Sequence, residues 1–400
     1  MSLAFLALWL EGCGELTPRE LAREEQFSVS LGRLETQIDL FQLGGRRLEH
    51  ETALFMRDGT FYISNGSGHK IMRFSSYGDI LLLLYDPSRN PEPVGLSLEG
   101  SGGNVASTRR GVAHELEDIG QIVVAGDDTI HVVAKAGREL EARDEELGIL
   151  LDRIILRFDR QGRALPYLGR DGLGGIPFPS VEKLWMTAGG ELVVVCMTAG
   201  VRLVYWFSAG GSLRYRVVLT ESGLPERPEA GSVSVIASVA PDQSEGVLHV
   251  LVNRYRQRVD ESTGSVVSLL PQGSRLYRLD LGSSRFVGGA DLPSIQPRKT
   301  QYGGREYDIP APPYELLGMT LQGCALLMRP TSQGVYELVA LDREGRATLR
   351  RTIGMDDREL TYMTFHLSPQ GVLSALLADT TAAHVVWWRC DRLFGAGRNG

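Results

Sequence analysis

Residues 56–78 read Met-Arg-Asp-Gly-Thr-Phe-Tyr-Ile-Ser-Asn-Gly-Ser-Gly-His-Lys-Ile-Met-Arg-Phe-Ser-Ser-Tyr-Gly. The stretch contains a turn at 58–59, an apolar run over 61–64, a second turn at 65–68 and a second run over 70–74. Short apolar runs bounded by Gly, Asn and Asp are typical of β-hairpins. The stretch therefore predicts two antiparallel strands.

The same pattern recurs along the chain. A turn followed by an apolar strand occurs six times, at 58–64, 127–133, 189–195, 245–251, 322–327 and 370–376. A second strand that ends in a large residue follows each of these, at 70–74, 154–158, 203–207, 275–279, 337–341 and 385–388. A further strand precedes each turn and would be the innermost of its unit, at 53–56, 121–125, 183–186, 232–239, 316–321 and 361–366. Every unit except the last ends with a fourth strand. This repeat predicts an all-β fold, a six-bladed β-propeller with four-stranded antiparallel blades.

The last unit has only three strands, so the ring needs a fourth strand from elsewhere. Residues 34–43 alternate between apolar and polar residues and precede the first full unit. We expect them to pair beside 385–388, which would close the ring and cover its open edges. Two separate domains split near 224–228 are the competing interpretation. Because the repeat continues across that point, we favour one propeller over 34–395, with a C-terminal tail at 396–400.

Two units carry insertions between their central strands, at 136–150 and at about 256–273. The charge-rich segment 138–147 predicts a short surface helix. The second insertion has Ser-Thr-Gly turn chemistry and predicts a hairpin. Insertions confined to one loop type are expected when a repeat maps its loops onto one face.

The N-terminus has the pattern of a bacterial lipoprotein signal. Residues 3–10 are apolar but far shorter than the roughly 20 residues of a membrane-spanning helix, and they match the core of a secretory signal. Gly12 and Cys13 follow. We predict a signal at 1–12, lipid attachment at Cys13, a tether over 13–33, and a location at the periplasmic face of a bacterial membrane. The alternative is an N-terminal apolar strand or helix with a buried Cys13.

Composition excludes several classes of function. The chain has 42 Lys+Arg against 49 Asp+Glu, a net charge of −7, which argues against a nucleic-acid partner. It is 43% hydrophobic and 23% charged, which excludes disorder as a description of the whole chain. Neither CxxC nor Cys/His ligand spacing occurs in the sequence, so we predict neither a metal site nor a cofactor.

Catalytic motifs are missing as well. The sequence has neither a Gly-x-Ser-x-Gly elbow nor a phosphate-binding Gly-x-x-x-x-Gly-Lys loop. The predicted inner strands are mostly apolar or small, so we predict no catalytic residue and no enzyme. His131 and His249 occupy equivalent positions in their units. They either face a common channel or are core or surface histidines.

Two long linkers, 87–118 and 293–314, are candidate binding loops, because loops of this length in a compact domain are usually functional or disordered. Tyr and Arg are favoured where proteins bind one another. The candidate interaction residues are Arg109, Arg110, Arg298, Tyr302, Arg305 and Tyr307. The alternative is that both linkers are solvated excursions.

Residues 58–78 resemble an NHL repeat, and Lys70-Ile71 and Phe74 with Gly78 carry the match. Residues 64–79 also resemble a family of spirochaetal lipoproteins of unassigned role. The resemblance implies export and a propeller, and it brings no catalytic residues.

The sequence thus predicts an exported, lipid-anchored and monomeric propeller that serves as a protein-interaction scaffold at the cell envelope. Its partners would be proteins and the membrane. The alternative is a small-ligand-binding or hydrolytic propeller that uses the mouth of its central channel. Converging acidic, Asn or His side chains at one mouth would favour that alternative.

Overall fold

The computed structural model describes residues 19–40, 50–98, 109–145, 148–198, 200–260, 262–295, 298–302, 305–356 and 358–394. This part is almost entirely β-structure, with one 3-10 helix at Glu221–Gly223 and one short α-helix, α1, at Asp391–Phe394. The all-β prediction is therefore confirmed. Neither of these helices is long and apolar enough to cross a membrane.

The described chain opens with β1 (Glu20–Leu21) and β2 (Glu24–Ser30). The first blade contains β3 (Thr52–Arg57), β4 (Thr60–Asn65), β5 (Lys70–Phe74) and β6 (Ile80–Tyr85), extended at its outer edge by β7 (Ser97–Leu98) and β8 (Arg110–Ala113). The second blade contains β9 (Ile122–Val124), β10 (Ile130–Lys135), β13 (Arg153–Phe158) and β14 (Ala164–Gly169), with β15 (Gly172–Leu173) at its edge. A separate hairpin, β11 (Ala142–Asp144) and β12 (Ile149–Leu151), is inserted between β10 and β13.

The next two blades follow the same order. The third contains β16 (Val181–Met186), β17 (Leu192–Thr198), β18 (Val201–Phe207) and β19 (Leu213–Thr220). The fourth contains β20 (Ser232–Pro241), β21 (Val247–Val259), β22 (Val266–Asp280) and β23 (Arg285–Asp291). A hairpin of β24 (Arg298–Tyr302) and β25 (Arg305–Ile309) comes next. The fifth blade contains β26 (Glu315–Met319), β27 (Ala325–Ser332), β28 (Val335–Leu341) and β29 (Ala347–Gly354), and β1 pairs in parallel with β29. The last strands are β30 (Tyr362–Leu367), β31 (Leu373–Ala378) and β32 (Ala382–Trp388).

The sheets are arranged around a central axis. Contacts join β3 to β9, β9 to β16, β20 to β26, β26 to β30, and β30 back to β3. The Trp185 indole Nε1–H donates to the Val239 carbonyl at 3.0 Å and links β16 to β20. The innermost strands therefore form a closed ring, which confirms the predicted propeller. Tight turns join the strands of a blade, and at the first turn Asp58 (φ 49°) and Gly59 (φ 75°) both take the left-handed conformation that such hairpins require.

Five blades, rather than the six predicted, are each formed around one continuous stretch of chain, whereas one further sheet joins both ends of the described chain. In that sheet β2 pairs antiparallel with β32, with Phe27 opposite Val385. The prediction that 34–43 supplies the closing strand is wrong. Residues 31–40 instead run over the first blade, where Ile38 is fully buried, and 41–49 lie outside the described residues.

The physical reason is the packing of Phe27. Its ring lies 5.4 Å from the rings of both Phe61 and Phe74, so β2 fills the gap between the last sheet and the first blade. Most of the predicted tether, from Glu20 to Ser30, is therefore part of the propeller. The predicted signal, Cys13 and the tail at 396–400 lie outside the described residues.

The insertion at 136–150 also differs from its prediction. Residues 138–147 were expected to form a surface helix, but β11 and β12 form a hairpin in which Arg143 lies opposite Leu150. Helix propensity is a weak preference that tertiary context overrides. Here both ends of the insertion continue from neighbouring strands of one blade. The hairpin expected in the second insertion is confirmed as the extended end of β21 and β22.

Candidate functional site

The topology collects most long insertions on one face of the ring. Each inner strand begins at this face, the second strand returns to it, and the fourth strand ends at it, because the strands of a blade alternate in direction. The connections between second and third strands, and those between blades, therefore lie here. We call it the mouth face. It carries the β11–β12 hairpin, the β24–β25 hairpin and the extended end of β21 and β22.

Charged residues lie at or near the points where three inner strands begin. Glu51 precedes β3, Lys183 lies near the start of β16, and Glu315 is the first residue of β26. The Glu51 carboxylate accepts a short hydrogen bond from the Gln121 side chain. Among the described residues, the Lys183 ammonium and the Glu315 carboxylate form neither hydrogen bonds nor ion pairs. A third carboxylate, that of Glu182, is neutralised by its own partner.

Arg202 is that partner. Its guanidinium donates to both carboxylate oxygens of Glu182, at 2.9 and 3.0 Å, and to the Ala237 carbonyl at 3.2 Å. A bidentate arginine–carboxylate pair of this kind holds both groups in place. Among the described residues, Lys183, Glu51 and Glu315 near the starts of the inner strands form no ion pair.

Burial shifts the pKa of two of these groups, Glu51 and Lys183. It raises the pKa of Glu51, partly offset by the hydrogen bond from Gln121 and by the charge of Lys183. It lowers the pKa of Lys183, while Glu51 and Glu315 act to raise it. Perturbed acid and base groups mark a candidate functional site.

Aromatic side chains close the channel below the charges. The Lys183 ammonium lies 5.5 Å from the centre of the Trp185 ring. The His366 ring lies 4.2 Å from the Phe55 ring, and its Nδ1 accepts a hydrogen bond from the Met56 amide at 3.2 Å. Burial lowers the pKa of His366 to about 3, so its imidazole is neutral near pH 7. The space enclosed here is only about 40 Å³, room for a few water molecules.

The second feature of the mouth face is a protruding ribbon, residues 254–273, formed by the ends of β21 and β22. On one side β20 accompanies β21 only as far as Arg256. On the other side β23 pairs with β22 only from Arg275 onward. In the described part of the chain, residues 266–273 of β22 therefore pair with β21 alone, and their outer edge is open.

This open edge is apolar and exposed. The exposed fractions are 51% for Val266, 58% for Val267, 46% for Leu269 and 38% for Leu270. A long apolar edge strand of this kind is a template for pairing with another strand. A groove of about 290 Å³ lies beside it, lined by Leu270 and Pro271 of the ribbon and by Ile295 and Pro313 of the following linker.

Ion pairs hold the base of the ribbon. Arg254 contacts Asp291 at 2.6 Å, and Arg275 contacts Asp291 at 3.0 Å and Glu226 at 3.2 Å. The arginines on two strands thus share two acidic partners, Asp291 at the end of β23 and Glu226 in the connection before β20. The ribbon is therefore braced at its base, while its tip projects from the blade.

The candidate interaction residues of the first linker lie away from the mouth face. Arg110 begins β8, which runs parallel to β6 along the outer edge of the first blade, opposite Leu82. The Arg109 guanidinium contacts Asp79 at 2.8 Å, in the turn that leads into β6 on the opposite face. Both arginines are exposed, but the structure does not bring them near the second linker.

The residues of the second linker share one hairpin. Arg298 and Tyr302 lie in β24, and Arg305 and Tyr307 lie in β25. The register places Tyr302 opposite Arg305 and Thr300 opposite Tyr307. Part of the linker that the sequence predicts to be a loop therefore forms a hairpin.

The histidines expected to be equivalent do not line the channel. His131 lies on β10 and His249 on β21, the second strands of their blades, and both are buried. The channel histidine is His366, and sequence reasoning missed it together with Glu51, Lys183 and Glu315. One signal was available: the chain has only four lysines, and Lys183 is the one placed in a predicted inner strand.

Comparison with known proteins supports the fold alone. No family model matches the sequence, and no curated protein is significantly similar to it. Among solved structures, the Dos1 propeller is 10% identical, with 93% of this chain and 95% of that chain covered and a TM-score of 0.37. The polysaccharide lyase Uly1 is 8% identical, with 93% and 99% covered and a TM-score of 0.39. A putative gluconolactonase is 10% identical, with 92% of each chain covered and a TM-score of 0.37.

These neighbours correct one expectation. Two of the three are named as enzymes, so proteins with this kind of fold include catalysts. The prediction that the chain is not an enzyme, drawn from missing motifs and apolar inner strands, is therefore wrong. The inner strands also carry more chemistry than the sequence suggested, because Lys183, Glu315 and His366 all lie on them.

Proposed function

We propose that the protein is an exported, lipid-anchored scaffold that binds a protein partner through its mouth face. The observation that carries this proposal is the open edge of β22, where exposed apolar residues stand beside a groove. An extended segment of a partner would add to this edge by main-chain hydrogen bonds, with its side chains in the groove. We further infer that the sheet closed by β2 acts as a sixth blade, which gives the scaffold a continuous ring.

The anchor is part of the same proposal and is supported by the lipoprotein-like pattern before Cys13 and by the resemblance to spirochaetal lipoproteins. Glu20, the first residue of β1, is seven positions after Cys13. Seven extended residues reach about 25 Å at most. A lipidated Cys13 would thus hold the fifth blade, to which β1 pairs, close to the membrane. Stable attachment needs more than one acyl chain.

The anchor is tested with Cys13→Ala. We expect the wild-type protein to incorporate labelled palmitate and to partition into detergent, and the variant to do neither. A variant that still labels and partitions would defeat the lipid-anchor proposal.

The binding edge is tested with a photo-crosslinking residue at position 267, in the open edge. The control carries the same residue at Val218, which is 56% exposed on the outer strand of the third blade. We expect a discrete crosslinked partner only from position 267. Leu269→Lys should abolish this crosslink, because it places a charge in the apolar edge. Equal crosslinking from both positions, or a crosslink that survives Leu269→Lys, would contradict the proposal.

A further inference from the structure

The protruding ribbon carries two arginines whose charge is left unpaired. Arg256 and Arg258 lie two positions apart on β21, so their side chains stand on the same face of the ribbon. Both are exposed, and among the described residues their guanidinium groups form neither ion pairs nor hydrogen bonds. Arg254, at the base of the ribbon, differs because Asp291 contacts it at 2.6 Å. Unpaired positive charge therefore lies beyond the base of the ribbon.

The strand pairing places these two arginines next to the open edge of β22. Arg256 lies opposite Leu270, and Arg258 lies opposite Ser268. Residues paired in this way share a face of the sheet, so each arginine is separated from the open edge by one side chain. A strand added to that edge at the usual spacing would lie about 9.6 Å from β21. A long arginine side chain that crosses the small Ser268 could therefore meet a carboxylate on the added strand.

The other face of the ribbon is apolar along the same edge. Leu269, which is 46% exposed, lies opposite Gln257 on this face. Val259 and Val266, which are 46% and 51% exposed, lie opposite one another on it. A strand added to the edge would thus meet arginines on one face and aliphatic side chains on the other.

We propose that the partner segment alternates acidic with apolar residues, an inference that rests on the proposed addition of a partner strand to this edge. The acidic side chains would stand on the face of Arg256 and Arg258, and the apolar side chains would stand on the face of Leu269 and Val266. Successive residues of a strand point to opposite faces, so an alternating sequence complements both faces at once. Opposite charges across the edge would also select the register of the added strand.

An anionic membrane surface is another partner that exposed arginines and apolar side chains attract. The backbone of the ribbon favours a strand instead. Along 266–273 the outward N–H and C=O groups are a template for a further strand, whereas lipid tails offer these groups no hydrogen bonds. A basic segment is disfavoured because it would place like charges beside the two arginines.

The test measures the binding of three fluorescent peptides to the full-length protein by anisotropy. Each peptide has eight residues, the length of the open edge at 266–273, and alternates valine with glutamate, glutamine or lysine. We expect the glutamate peptide to bind about fivefold more tightly than the glutamine peptide, as two exposed ion pairs would give, and the lysine peptide to bind most weakly. Salt at about 1 M should remove most of this preference. Equal binding of the glutamate and glutamine peptides, or no binding of any peptide, would overturn the proposal.

Variants locate the charged contacts. Arg256→Gln combined with Arg258→Gln should lower the affinity of the glutamate peptide to that of the glutamine peptide, and should leave the glutamine peptide unchanged. The matched control is Arg285→Gln, which removes an exposed arginine at the start of β23, at the other end of the same blade. All three side chains are exposed, so the substitutions leave the core intact. A preference for glutamate that survives the double variant, or that falls equally in Arg285→Gln, would overturn the assignment.

Failure of this inference can be told apart from failure of the proposed function. Equal affinities of the glutamate and glutamine peptides overturn the acidic preference alone, whereas a missing crosslink from position 267 overturns binding at the edge. The membrane alternative is tested by sedimentation with vesicles of phosphatidylcholine and phosphatidylglycerol, in the full-length Cys13→Ala protein so that the proposed anchor plays no part. We expect the double arginine variant to sediment as its parent does. Vesicle binding that depends on Arg256 and Arg258 would overturn the choice of a peptide partner.

Discussion

Removing the aromatic side chain of Phe27 should lower the stability of the closed propeller more than truncating a side chain in the segment 34–43. Phe27 is only 9% exposed, and its ring meets those of Phe61 at an interplanar angle of 78° and Phe74 at 39°, both at 5.4 Å. Its Cβ also lies against Gly78, where a Cβ would approach within 2.8 Å. The side chain therefore connects the closing strand to two strands and a turn of the first blade.

The cost follows from burial and from ring contacts. Burying a Phe side chain contributes roughly 1.5–3 kcal/mol. Each aromatic pair adds about 0.5–1.5 kcal/mol. Because β2 lies at an edge and can relax into part of the space, we expect Phe27→Ala to cost about 3 kcal/mol, at the lower end of the range for Phe→Ala in cores. With an unfolding entropy of ~2 cal/mol/K per residue over the whole chain, the melting temperature falls by about 4 °C.

The assay is urea and thermal unfolding followed by tryptophan fluorescence, since Trp387 lies on β32 and donates to Glu24 of β2 at 2.8 Å. The control is Leu34→Ala, in the segment that sequence patterning favours as the closing strand. Leu34 is 61% exposed, so its truncation should cost no more than about 0.5 kcal/mol. Equal losses in the two variants, or a larger loss in Leu34→Ala, would refute closure by β2.

Three further outcomes are expected. Gly318→Val should destabilise the protein by about 2 kcal/mol or more in urea titrations, because the left-handed φ of Gly318 and the nearby Trp185 ring exclude a side chain. The control Gly264→Ala, in the open turn of the ribbon, should cost less because a Cβ there would contact nothing. Burial lowers the pKa of Lys70 from 10.5 to about 8 in the folded protein. Between pH 8 and 10.5 the Lys70 amine is therefore protonated more fully in the unfolded state than in the folded state, so the free energy of unfolding should rise with pH over about this range. In unfolding measured across that range, Lys70→Met should lack this contribution, and an unchanged pH slope would contradict the burial of the ammonium. Thiol labelling of the native protein should modify Cys324, which is partly exposed, well before Cys196 and Cys390, which are buried, and equal rates would contradict that burial.

The inner strands show which elements can be predicted from short stretches of sequence. The sequence predicts an inner strand at 53–56, and the structure has β3 at Thr52–Arg57. It predicts another at 183–186, and the structure has β16 at Val181–Met186. Alternation and turn residues act over a few positions, so short sequence windows contain the necessary information. The same holds for the hairpin turn at Asp58 and Gly59.

Short sequence windows could not predict which strands pair when those strands are far apart in the chain. Residues 24–30 and 34–43 both alternate, and only the shape of the gap between the last sheet and the first blade, filled by Phe27, selects the former. The helix expected at 138–147 failed for a related reason, since the insertion joins two paired strands and its propensity for helix was overridden.

By itself the sequence determined the repeat, the class of fold and the turns, because these follow from neighbouring residues and the two-residue period of a strand. Only the tertiary structure decided which strand closes the ring, which edge of β22 stays open, and that Glu51, Lys183 and Glu315 belong to inner strands, or precede one, in a single ring. These residues lie 132 positions apart in the chain at the least, between Glu51 and Lys183 and again between Lys183 and Glu315. They belong to one ring because its closure brings the inner strands together, and that closure depends on packing between blades rather than on any local pattern.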